Sequence, residues 1–321
     1  MIRVRPGPMF RTFSQAGSLV LVCLLAWQAG LHHLHAAHVV WHPGLSLLAL
    51  LCAAVGFALL TFKWQSALRF LGVCPAFHRL AGLTLTAQLW NLLLPAQIGG
   101  EVYRAGQLVA LGIPLSVATS AALLDRGSTA MAIALVGLVS AVLGSPKPSD
   151  IHILVALLAL VTVPFLGYAL LHHQGTVRLL ARVEYTLSRR TSSHRIGTTV
   201  QWLLQRPLHL TALLVLAVAS QIFFSAYIVI LGRGLGTSLT LPHAAWAMSA
   251  SALLPYLIPL PGSTTAVQMG SFVYLLVQTG TPQDRAALLS LAWLATTLGF
   301  GCAGGVLDGT YWSWRRYVSF R

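Results

Sequence analysis

Residues 92 to 104 read Leu92-Leu93-Leu94-Pro95-Ala96-Gln97-Ile98-Gly99-Gly100-Glu101-Val102-Tyr103-Arg104, which sets a proline, paired glycines, a carboxylate and a guanidinium inside near-continuous hydrocarbon. An ionised side chain at membrane depth is costly unless it is paired or meets water, so Glu101 and Arg104 mark a site. The Pro and Gly beside them predict an opened helix whose backbone amides are free to meet a polar ligand.

Composition fixes the class around that stretch. Of 321 residues, 56% are hydrophobic and 8% charged, too few charges to cover a water-soluble domain. Apolar runs at 17–36, 43–62, 114–143, 151–171, 209–231 and 286–307 approach or exceed the roughly 20 residues that cross a bilayer. The sequence predicts an all-α polytopic membrane protein.

A net charge of +14 raises the question of nucleic acid, but the basic residues gather in loops between apolar runs. Positive-inside topology accounts for them, and no nucleic-acid partner is expected. Arg3, Arg5 and Arg11 precede the first span; Lys63, Arg69 and Arg79 are placed in the loop after the second; Arg178, Arg182, Arg189, Arg190, Arg195 and Arg206 precede residue 209. These groups, with Arg315, Arg316 and Arg321, are expected to be cytoplasmic, as are both termini. The basic start also resembles a signal peptide. The poor cleavage site at His35-Ala36-Ala37-His38, and the spans that follow, favour an uncleaved first helix. Cys23, Cys52, Cys74 and Cys302 lack metal spacing and read as small core residues.

If residues 63–79 and 173–208 share one side, the segment between them at 80–113 dips into the membrane and returns, turning near Pro95 to Gly100. A second interrupted segment lies at 241–280, broken by Pro255, Pro259, Pro261 and Gly262, and enters from the other face. Six full spans plus two interrupted or re-entrant hairpins, arranged as an inverted repeat, are therefore expected. The halves are 1–172 and 209–321. The linker 173–208 is either an amphipathic helix carrying Val177, Leu180, Val183 and Leu187 on one face, or a solvated basic connector. Tyr311, Trp312, Trp314 and Tyr317 read as an interfacial anchor.

Glu101 and Arg104, three apart on a helix, share a face and can neutralise each other as a purely structural pair. Equally, Arg104 beside Gly99 and Gly100 can hold a phosphate. Asp125 and Arg126, adjacent on a long span, point about 100° apart and must pair with other elements. Asp125 with Arg104 and Arg126 with Glu101 form one network that either binds a charged headgroup or glues helices.

The second break offers only hydrogen bonds, from Ser263, Thr264, Thr265 and Gln268. Gln88, Asn91 and Gln221 read as interhelical hydrogen-bonding residues, and Gly301 with Gly305 as a small-xxx-small packing face. His32, His35, His38 and His42 cluster without an acidic or thiolate ligand, so no metal is assigned. No catalytic triad, nucleotide loop or carboxylate pair is found, so neither an enzyme nor a cofactor is expected.

In three ordered motifs the chain resembles the transmembrane region of the lysylphosphatidylglycerol synthase and flippase family. These are Pro95 followed by Gly100-Glu101-x-x-Arg104, the pair Asp125-Arg126 early in a long span, and the late break Pro259-x-Pro261-Gly262. The resemblance implies lipid handling. It does not carry over the soluble aminoacyl-transfer domain, because the sequence stops after the membrane region, and Val267 and Gln268 stand where the family often has an Arg-Glu ending.

The expected function is translocation of an anionic or zwitterionic lipid headgroup, with substrate contacts from Gly99, Gly100, Glu101, Arg104, Asp125, Arg126, Ser263, Thr264 and Gln268. The alternative is a non-transporting subunit presenting a lipid intermediate to a glycolipid or hopanoid enzyme. The first predicts membrane lipids as partners. The second predicts a stable partner enzyme, and a homo-oligomer is compatible with either.

Overall fold

The computed structural model describes residues 42–93, 99–144, 207–257 and 264–318; side chains of residues 308–318 and of those flanking the two breaks are not described. Among the described residues there are eight helices and no strand. They are α1 (Pro43–Phe70), α2 (Phe77–Leu93), α3 (Gly99–Ala110), α4 (Leu115–Gly144), α5 (Pro207–Gly234), α6 (Leu241–Leu257), α7 (Thr264–Gln278) and α8 (Gln283–Val318). The expected spans 17–36 and 151–171, Cys23, the histidines His32, His35 and His38, the residues Pro95, Pro259, Pro261, Gly262 and Ser263, and all of the linker 173–208 but its last two residues, which begin α5, lie outside the described residues.

Helices α1, α4, α5 and α8 are long and apolar enough to cross a membrane. Leu47, Leu51, Leu123, Val139, Val142 and Val215 point outward and are exposed on the isolated chain. A water-facing surface of that kind would self-associate, whereas lipid tails cover it without penalty. The chain is a multi-pass membrane protein.

Helices α1 and α5 run antiparallel: the rings of Phe70 and His209 meet at 4.3 Å at one end, and Leu45 approaches Gly234 at the other. Between them Phe57 packs edge-on to Phe224 at 5.1 Å. Gly56 makes room for that contact, since a Cβ there would lie 2.7 Å from the Phe224 ring. Each of these helices ends on a glycine with positive φ, Gly72 and Gly236. The amide of Val73 reaches back to Leu68 and that of Thr237 to Gly232, which satisfies terminal carbonyls before the chain turns.

The short helices form two hairpins. Helix α3 folds back along α2, stacking Tyr103 on Trp90 and setting Leu108 in one cluster with Leu80 and Leu83. This hairpin enters and leaves at the Phe70 end. Helices α6 and α7 enter and leave at the Leu45 end, where His243 meets the carbonyl of Gly144 at 3.3 Å and Arg285 donates to the carbonyl of Gly236. The two tips meet within the bundle: Thr265 Oγ1, just after the second break, donates to the Leu92 carbonyl just before the first at 3.5 Å.

Three expectations change. Lys63 lies in no loop; no Gly or Pro stands between it and Gly72, so the helix continues past it and buries it completely. The close approach of α8 to α2 uses Gly301 against Leu89 and Gly304 against Leu85 and Thr86, while Gly305 faces open space. Among the cysteines, Cys52 is partly buried, but Cys74 and Cys302 are exposed rather than in the core.

Candidate functional site

The tip of the first hairpin is built around Gly100. A Cβ there would sit 2.7 Å from Asn91 Oδ1 and 2.8 Å from the carbonyl of Ala87, so only glycine lets α3 start this close to α2. Its amide is not free, as the sequence suggested, but donates to Asn91 Oδ1 at 2.7 Å. In a medium without water an orphaned first-turn amide is costly, and Asn91 removes that cost. Gly99 opens α3 beside it and is buried.

One turn further on, five charged side chains from three helices form a line of alternating sign. Lys63 Nζ lies 2.9 Å from Asp125 Oδ1. Asp125 Oδ2 accepts from Arg104 at 2.7 Å, Arg104 lies 3.3 Å from Glu101, and Glu101 accepts from Arg126 at 2.8 Å. The sequence foresaw the Arg104–Asp125 and Arg126–Glu101 pairs; it missed Lys63. The clue was the uninterrupted helical run from Pro43 to Phe70, which leaves no loop for the lysine to occupy.

Lys63 is held on every side. Besides the Asp125 carboxylate, it donates to the Asp125 carbonyl at 3.1 Å and to Thr129 Oγ1, and Thr129 in turn donates to the same carbonyl at 2.7 Å. Arg104 lies over the Trp64 ring, its guanidinium carbon 4.7 Å from the centroid, a cation–π contact in a desolvated setting. Its Nε is buried with no hydrogen-bond partner among the described residues.

This line begins and ends on a cation, so within these five described side chains three positive groups face two carboxylates, one cation more than the line's own anions. Exposure rises along it from 1% for the Lys63 side chain to 24% for Arg126, which puts the accessible end at Glu101 and Arg126. The arrangement suits an anion with several oxygens, which a planar guanidinium can grip by two bonds.

Beside the line, between the hairpins, lies a cavity of about 180 Å³. It is lined by Gln88, Asn91 and Leu92 of α2, Thr129 of α4, Gln221 of α5, and Thr265 and Gln268 of α7, with Phe57, Phe224 and Trp293 among its apolar walls. Gln88, Asn91 and Gln221, expected between helices, border this space. Of the expected site residues at the second break, Gln268 is thus in the cavity wall, Thr264 starts α7 without a described side chain, and Ser263 lies outside the described residues. Among the described residues no group of His, Cys, Asp and Glu could hold a metal ion.

Residues 13–305 match the family described as Lysylphosphatidylglycerol synthase TM region. A UPF0104 membrane protein of Methanothermobacter thermautotrophicus is 27% identical over 176 residues, 54% of this chain and 50% of that protein. The chain therefore spans about half the length of that relative. No solved structure matches.

Proposed function

Because this chain belongs to the family of the lysylphosphatidylglycerol synthase TM region, we propose that it translocates a lipid across the bacterial inner membrane and performs no catalytic step. The lipid's anionic or zwitterionic headgroup enters between the two hairpin tips, its phosphate gripped by Arg104 and Arg126. Glu101 and Asp125 balance the charge when the site is empty, and the acyl tails stay in hydrocarbon. Movement is facilitated or driven by an ion, and the basic Phe70 end faces the cytoplasm.

The two halves serve this function as an inverted repeat, α1–α4 matched to α5–α8. In support, α1 and α5 each have 28 residues and α2 and α6 each have 17. Gly112 and Gly280 also follow α3 and α7 with similar positive φ, 87° and 91°. Hairpins that enter from opposite ends and touch at their tips give a headgroup a route from either leaflet.

The observation that carries the reading is the excess cation in a line of five charges at the tip of a broken helix. Arg104→Ala tests it cleanly, because it leaves two complete pairs, Lys63–Asp125 and Glu101–Arg126, and removes the excess. The variant should insert normally, lose the phosphate-bearing lipid that co-purifies with the wild type in mild detergent, and fail to move headgroups in vesicles. Identical co-purified lipids and normal movement in the variant overturn the proposal.

A further inference from the structure

The charged line and the cavity are distinct in chemistry but joined by one residue. Thr129 accepts a hydrogen bond from Lys63 and also lines the cavity. It lies one turn from Asp125, about 6 Å along the axis of α4 at 1.5 Å per residue. A phosphate held by Arg104 would therefore lie one headgroup length from the space between the hairpins.

Among the described residues, that space has no charged lining residue. Its polar wall consists of side-chain amides and hydroxyls, with Gln88, Asn91, Gln221 and Gln268 set around it from three helices. Asn91 Oδ1 accepts from Gly100 and Gln88 Nε2 donates to the Thr84 carbonyl at 3.5 Å. A side-chain amide, however, has two donor hydrogens and a carbonyl oxygen with two lone pairs, so the wall as a whole both donates and accepts, the same pattern that a polyol hydroxyl presents. An ammonium only donates and would be buried without a carboxylate, a costly arrangement in low dielectric. The aromatic walls do not compensate as an open cage, because Phe224 is committed edge-on to both Phe57 and Trp293, at 5.1 and 5.4 Å. At about 180 Å³ the cavity has room for about six waters. That is the scale of a glycerol or a single sugar ring rather than of an extended chain.

We propose that the cavity is a second, neutral subsite that selects phospholipids whose phosphate carries a hydroxyl-rich, uncharged group and discriminates against those carrying an amine. The proposal rests on the translocase reading and specifies its substrate class. The lipid is read in two places: phosphate at the Arg104 line, and polyol at the amides between the hairpins.

The test is transport by the full chain reconstituted in vesicles, with tail-labelled phosphatidylglycerol, phosphatidylinositol, phosphatidylserine and phosphatidylethanolamine as probes. Phosphatidylserine and phosphatidylglycerol have the same net charge, so net attraction to the charged line does not separate them, and variants of the cavity show whether a difference arises at the amides. Wild type should move the two polyol lipids at least about fivefold faster than the two amine lipids, the worth of a single neutral hydrogen bond. Gln221→Leu and Gln268→Leu, close in size to the native residues, should each bring that ratio toward one. Equal rates for phosphatidylserine and phosphatidylglycerol in wild type, or a ratio unchanged in both variants, overturn the neutral subsite and leave the translocase standing. Rates no higher than in protein-free vesicles for every probe overturn the translocase, and the subsite with it.

Discussion

Lys63 and Tyr227 make the same pair of contacts in opposite halves of the protein. Counted from the first residue of α1 and of α5, they stand at the same position. Lys63 Nζ donates to the carbonyl of Asp125 and to Thr129 one turn later. Tyr227 Oη donates to the carbonyl of Ala292 at 3.1 Å and meets Thr296 Oγ1, again one turn later, at 2.8 Å. One polar clasp thus joins the first long helix of each half to its last, ionic in the first half and neutral in the second. The charge that the proposed headgroup binding requires is concentrated where Asp125 gives Lys63 a carboxylate as well as a carbonyl.

That arrangement ranks the damage done by its members. Asp125→Asn leaves both Lys63 and Arg104 buried without their shared counterion, the type of loss that costs about 3–5 kcal/mol. Lys63→Met leaves Asp125 still paired with Arg104 and should cost about 1–3 kcal/mol, mostly for acceptors left unmet. Reversible unfolding in mixed micelles should place Asp125→Asn well below Lys63→Met. The opposite order would mean that Asp125 is not the hub of the line.

The hairpin tip depends on a missing side chain. Gly100→Ala drives a Cβ into Asn91 Oδ1 and the Ala87 carbonyl. Asn91 cannot retreat without giving up the hydrogen bond that satisfies the tip, and the Ala87 carbonyl is helix backbone, so the variant should lower the unfolding midpoint. Gly127→Ala, beside Arg126 in α4, meets nothing within 4 Å. It should be neutral or stabilising by up to about 1 kcal/mol, since a helical glycine is entropically unfavourable. If both variants unfold at the wild-type midpoint, the tip is loose enough to admit a methyl group.

Residues three or four apart along one helix could be paired from sequence, and so could the charges of a long span with those of the broken segment before it. This is why Glu101, Arg104, Asp125 and Arg126 were legible, along with both hairpins and the four spans among the described residues. Lys63 was not, because hydropathy places a boundary wherever a charge follows an apolar run. The carboxylate that lets this helix carry a lysine inward lies 62 positions away. The fate of the Gly100 amide was hidden for the same reason: Asn91 reaches it only once the hairpin has closed. Cavity walls are harder still, since Gln88 and Gln221 look alike in sequence whether they bond a neighbour or border a void.

Packing of α8 on α2 makes the point in a form that can be measured. Spacing alone marked Gly301 and Gly305 as the contact face, yet Gly304 is the residue pressed against Leu85, with a Cβ there only 2.6 Å from the Thr86 amide nitrogen. Gly304→Ala should destabilise by about 1–3 kcal/mol through overpacking against backbone that cannot yield. Gly305→Ala should change stability by less than about 0.5 kcal/mol. Equal losses in the two variants would favour the register drawn from spacing.

The formal excess of one cation also predicts an effect of opposite sign to that of Arg104→Ala. Glu101 is the carboxylate nearer the accessible end, 15% exposed and shared by Arg104 and Arg126. Glu101→Gln keeps the shape but turns one of the two acceptor oxygens, which now serve Arg104 and Arg126 separately, into a donor, and it releases both guanidinium groups from a competing anion. An incoming phosphate no longer has to displace a carboxylate, so phosphatidic acid should be retained more tightly by the purified protein, by about tenfold if roughly 1.4 kcal/mol of competition is relieved. Release should slow to match, lowering the transport rate while binding rises. Native mass spectrometry of the detergent-solubilised variant reads the first effect, and vesicle transport the second. Weaker retention in Glu101→Gln would mean that Glu101 contacts the headgroup directly, as it would for an amine, rather than guarding the site against it.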